Sequence, residues 1–104
     1  MRLKLLIEKA AAIVGSQARL AVLLDELPPH ISNWKKGTRP CNARHRILMA
    51  QIADVDIAHA ALDGIIDDAL RTGDKLVAES LRKRLIELDR ERNSMRVATL
   101  TNNW

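Results

Sequence analysis

The sequence predicts an all-α protein built of short helices, and three observations carry that prediction. Leu, Ile, Val and Ala dominate a hydrophobic content of 47%, and only four glycines and three prolines interrupt 104 residues. Apolar residues recur at three- and four-residue intervals along most of the chain, the period of a helix with one buried face. Gly15, Gly37, Gly73 and all three prolines fall between those patterns, where helices stop and start. With no Phe or Tyr, and only Trp34 and Trp104 as aromatics, the core must be aliphatic. The length allows one domain, or one small domain with an accessory hairpin.

The first helix spans residues 3–14, with Leu3, Leu6, Ile7, Ala10, Ala11 and Val14 on its apolar face, and Gly15 suits a left-handed end. Ser16 caps a second helix over 17–24, whose apolar face is Leu20, Ala21, Leu23 and Leu24. Pro28 and Pro29 suit a first helical turn, where their missing N–H groups had no partner anyway, so a third helix starts at 28 and stops before Gly37. Ile31 and Trp34, three apart, give it an inward face. Asn42 caps a fourth helix over 43–53, with Ile47, Leu48, Ile52 and Ala53 as the expected buried side. A fifth helix covers 57–71 and ends at Thr72-Gly73. A sixth runs from 74 or 75 to 93 with the stripe Val77, Leu81, Leu85 and Leu88, and residues 94–104 read as a flexible tail.

No apolar run approaches the roughly 18 residues needed to span a bilayer. The N-terminal stretch has a basic start, but Glu8 and Lys9 interrupt it, so it reads as an amphipathic helix and not a signal peptide. The lone Cys41 has no partner for an internal disulfide or zinc site, which fits a reducing cytoplasm. The net charge is +4, unevenly spread: residues 1–52 carry nine Lys/Arg against three acids, a net of +6. Residues 53–74 carry six Asp against Arg71, a net of −5, and residues 75–104 return to +3 with seven basic groups against four acidic ones. A basic N-terminal half suits a polyanion; the ordinary alternative is solvation of helix surfaces.

Two short helices joined tightly over residues 16–40 bury little alone, so flanking helices must support them and the second is held out from the body. Gln17, Ala21 and Leu24, followed by Ile31-Ser32-Asn33-Trp34-Lys35-Lys36-Gly37, resemble the helix-turn-helix of the Cro and lambda repressor family of phage and bacterial regulators. The resemblance covers residues 3–53. It implies a five-helix-type helix-turn-helix DNA-binding domain over residues 1–54, extended by a helical hairpin over 55–93. In that frame Ala21 permits a close helix crossing, Ile31 fills the space between the helices, and Trp34 covers it.

The resemblance also implies roles at the surface. Pro28, Pro29, His30 and Asn33 fall at or beside base-contacting positions. The prolines offer shape and apolar contact, and the Asn33 amide can pair with adenine at two points. His30 can donate to a base or a phosphate, the bland alternative being an inert surface histidine. Gln17 matches a position that contacts the DNA backbone and braces the recognition helix, and Ser32, Lys35, Lys36, Thr38, Arg39, Arg44 and His45 sit where the family grips phosphates. Arg39 is also placed to reach a minor groove. The turn departs from the family's Gly-Val-Ser, reading Asp25-Glu26-Leu27. Asp25 can adopt a left-handed conformation, Leu27 has no oxygen with which to cap a helix, and Glu26 stands where an apolar residue packs. That leaves Leu27 to turn inward and take the packing role, while the two acids lower nonspecific affinity for DNA.

A single module of this type reads a short site, so a homodimer is expected, with Leu62, Ile66, Val77, Leu81, Leu85 and Leu88 of the hairpin as its contact. Asp63, Asp67 and Asp68 are expected to face Arg82, Lys83 and Arg84, within or between subunits. The alternative is a hairpin folded onto its own domain. His30, His45 and His59 lack metal-ligand spacing, there is no phosphate-cradling glycine loop, and the sequence alone gives no evident activating group for Cys41, so neither an enzyme nor a cofactor is expected. The expectation is therefore a sequence-specific transcriptional regulator of double-stranded DNA, in a bacterial cytoplasm at the nucleoid. It is expected to be a phage or prophage repressor that inserts its recognition helix, residues 28–36, into the major groove as a homodimer. The competing reading is a protein-interaction module, such as an antitoxin or a phage factor that binds another regulator.

Overall fold

The computed structural model describes residues 2–102, and of residues 92–102 the backbone only. Among the described residues it contains six helices and no strand: α1 (Leu3–Val14), α2 (Gln17–Leu23), α3 (Pro28–Lys36), α4 (Ala43–Ala53), α5 (Ile57–Arg71) and α6 (Lys75–Asn102). None is long and apolar enough to cross a membrane.

Local chemistry fixes most of the ends. Gly15 closes α1 in a left-handed conformation, its N–H donating to the Ala11 carbonyl. The Ser16 hydroxyl accepts the Arg19 N–H at 3.1 Å, the Asn42 side chain accepts that of His45 at 2.9 Å, and Asp56 and Asp74 do the same for α5 and α6. α3 starts on Leu27 without a side-chain cap, but Pro28 and Pro29 have no N–H groups to satisfy.

The chain divides into two units, residues 1–65 and 66–104. In the first, α1 packs on α4, α2 and α3, and α2 packs on α3. Its core joins Leu6, Ile7, Ala10, Leu20, Ala21, Leu24, Ile31, Trp34, Met49, Ala50 and Ala53. Ala60 belongs to the same core, which carries the first unit past the boundary expected at residue 54. Gly64 explains how α5 comes so close to α4: a Cβ there would meet Arg46 Cδ at 3.0 Å and the Ala43 Cα at 3.2 Å. In the second unit Ile66, Ala69, Ala78 and Leu85 are buried.

Several expectations need correction. Leu23 is exposed while Leu24 is buried, because Leu20, Ala21 and Leu24 share one arc of the helix and Leu23 falls outside it. In α4 the buried side is His45, Arg46, Met49, Ala50 and Ala53, with Ile47, Leu48 and Ile52 only half-buried. The helix is rolled so that Arg46 Nε donates to the buried Cys41 carbonyl at 3.1 Å. α6 does not stop at Asn93 but runs to Asn102, since no Pro or Gly intervenes to break it; Trp104 lies outside the described residues.

Candidate functional site

The turn between α2 and α3 sets the direction of α3. Asp25 takes φ = 53°, the left-handed region. The next N–H, that of Glu26, reaches back to the Ala21 carbonyl at 2.9 Å, and the Asp25 N–H to Val22 at 3.1 Å. These two bonds consume carbonyls that α2 would otherwise leave unpaired. Leu27 does not turn inward but stays largely exposed. Glu26 takes the covered place instead, because two partners await it: Oε2 lies 2.6 Å from His30 Nδ1 and Oε1 lies 3.3 Å from His45 Nε2. The His30 hydrogen bond holds the Glu26 carboxyl below the ordinary carboxylate value, helped by the charges of His45, His30 and Arg39, while burial works in the opposite direction.

His45 therefore does not stand at the surface as a phosphate contact. It is buried against Trp34, with ring centroids 4.9 Å apart, and its far nitrogen faces Glu26. Ile31 and Trp34 form the inward side of α3, and the Trp34 Nε1 is buried without a hydrogen-bond partner. On the other side, Pro28 and Pro29 are exposed and His30 and Asn33 are half-buried. Gly37, left-handed at φ = 77°, ends the helix and brings the Thr38 and Arg39 N–H groups onto the Asn33 carbonyl at 3.0 and 3.3 Å. Lys36, Thr38 and Arg39 are exposed at the C-terminal end of α3 and just beyond it, and Arg44 is exposed in the first turn of α4.

Gln17 and Ser32 meet directly, with Gln17 Nε2 donating to Ser32 Oγ at 2.9 Å, so the first turn of α2 is tied to the middle of α3. Beside this bond opens a groove of about 370 Å³ lined by Lys4, Glu8, Gln17, Ser32, Lys35 and Lys36. Glu8 Oε1 lies 3.7 Å from Lys35 Nζ. Lys4 and Glu8 were not among the expected site residues, although they are four residues apart and thus share a face of α1. Their neighbourhood with α3 is a tertiary fact.

The hairpin places its expected contact residues differently from the expectation. Ile66 and Leu85 are buried within the single chain, Leu62, Leu81 and Leu88 are half-buried, and Val77 is exposed. Among the described residues, the large apolar side chains of the second unit that are exposed are Leu70, Leu76, Val77 and Ile86. Asp63 lies 3.1 Å from His59, and Arg84 pairs with Glu87 and Glu91 along its own helix. Among the described residues no group of three His, Cys, Asp or Glu side chains is arranged to hold a metal ion. No family model matches the chain, and neither curated proteins nor solved structures give a significant match.

Proposed function

We propose that the chain is a sequence-specific transcriptional regulator that lays α3 in the major groove of double-stranded DNA, as the resemblance to the Cro and lambda repressor family implies, and acts as a homodimer. One observation carries the reading: α3 has two unlike faces. Ile31 and Trp34 fasten it to the core, while Pro28 and Pro29 are exposed, Asn33 is half-exposed, and Lys36, Thr38 and Arg39 are exposed at its C-terminal end. Such a helix offers a base-reading amide flanked by groups that hold phosphates.

Selection from a random duplex pool, followed by salt titration of the selected site, tests it. Asn33→Ala should relax preference at one position, a loss of about 1–3 kcal/mol of discrimination. Lys36→Ala and Arg39→Ala should weaken binding to every sequence and lower the salt slope by about 0.9 each. The absence of sequence-dependent binding at any salt concentration defeats the proposal.

A second reading has its own support. Val22, Leu23 and Leu27 are 79%, 60% and 62% exposed around the turn, an apolar patch for which DNA has little use. It suits a protein partner, such as an antagonist or toxin. A partner that co-purifies at fixed stoichiometry and is lost with Leu27→Glu would favour that reading.

A further inference from the structure

We propose that the groove formed by α1, α2 and α3 seats one DNA phosphodiester, that Lys4 of α1 contacts it, and that Glu8 is the internal counter-ion it displaces. The inference rests on the DNA-binding reading and extends the interface to a helix without recognition residues.

The lining is chemically one-sided. Lys4, Lys35 and Lys36 bring three cations and Gln17 and Ser32 bring neutral donors, against the single carboxylate of Glu8. The Gln17 amide has two hydrogens, and the bond to Ser32 Oγ uses one of them, leaving the other for an anionic oxygen. The Ser32 hydroxyl accepts in that bond and keeps its own hydrogen to donate. Mutual bracing fixes both groups before any ligand arrives, which lowers the ordering cost of binding.

Glu8 is the feature that a plain basic patch would not have. Its oxygen is 3.7 Å from the Lys35 ammonium, and the two side chains are 45% and 28% exposed. A pair that long and that wet exchanges readily for a phosphate oxygen. While it stands, it screens the lysines from casual polyanions. Glu8 thus sets how strongly the groove grips DNA of any sequence, and Lys4 supplies one of the charges that grip.

Salt titrations of duplex binding by the full chain test this, with thermal melts to verify folding. Lys4→Gln should lower the salt slope by about 0.9 and weaken binding roughly five- to tenfold near 0.1 M salt. Lys4→Arg should retain binding. Lys9→Gln removes the same charge from an exposed position of α1 that does not line the groove, and should leave the slope near wild type. Glu8→Gln should tighten binding to all sequences several-fold. If Arg39→Ala lowers the slope while Lys4→Gln behaves like Lys9→Gln, the seat is overturned and the DNA reading survives. If the wild-type chain binds no duplex at all, both fall together.

Discussion

The carboxylate at position 26 is held between imidazoles of two helices, His30 at 2.6 Å on α3 and His45 at 3.3 Å on α4. A residue that looks like a misplaced acid in an apolar position is therefore a polar fastener between the turn and the body. It also spares the exposed face of α3 a bare negative charge. Because folding holds the Glu26 carboxyl below its ordinary value of 4.5, the native state binds fewer protons there than the unfolded chain does. Its contribution to stability is complete above that value and is lost as the pH falls through the lower, folded one. Glu26→Gln should accordingly lower the melting temperature at neutral pH, and the gap to wild type should close under acid. A gap that persisted unchanged below pH 3 would show that the charge is not what the histidines hold. Glu26 and His30 stand four residues apart, a local spacing, but His45 meets Glu26 only through the roll of α4, which no local pattern encodes.

Helix ends were the legible part of the fold, because capping is local chemistry: Gly15, Ser16, Gly37 and Asn42 all stop or start helices where their side chains or backbone freedom predict. Helix faces were less legible. In α4 the buried side includes His45 and Arg46, polar residues that an apolar pattern passes over because their partners lie elsewhere in the chain. Of the candidate interface, the outward residues of α3 could be read from its period, whereas Lys4 and Glu8 could be joined to it only in three dimensions. The α2–α3 turn shows the cost of an unusual residue. Asp25 adopts a left-handed conformation that glycine takes more cheaply, so Asp25→Gly should raise stability by up to about 1 kcal/mol and Asp25→Val should lower it. Gly64→Ala tests the α4–α5 approach through two opposed effects. Helix propensity favours alanine by about 1 kcal/mol, but overpacking against the Ala43 backbone and the buried Arg46 costs about 1–3 kcal/mol. Chemical denaturation should show a net loss. A net gain would mean that the two helices separate freely.

At the scale of the whole chain, charge and apolar surface are divided between segments: +6 over residues 1–52, −5 over 53–74 and +3 over 75–104. The first segment contains every residue proposed to meet DNA. Among the described side chains of the second unit, Leu70, Leu76, Val77 and Ile86 are exposed on otherwise charged helices while Ile66 and Leu85 are buried. If the chain reads two half-sites as a dimer, the exposed set and not the buried one must meet the partner. The two sets give opposite signatures. Leu76→Glu with Ile86→Glu should yield a folded monomer with an unchanged melting curve at low concentration. Leu85→Ala or Ile66→Ala should instead cost about 2–5 kcal/mol of stability in the monomer itself. Sedimentation of the wild type at tens of micromolar should show the dimer. A monomer at that concentration would remove the homodimer, and a dimer insensitive to the paired glutamates would move its contact away from the hairpin.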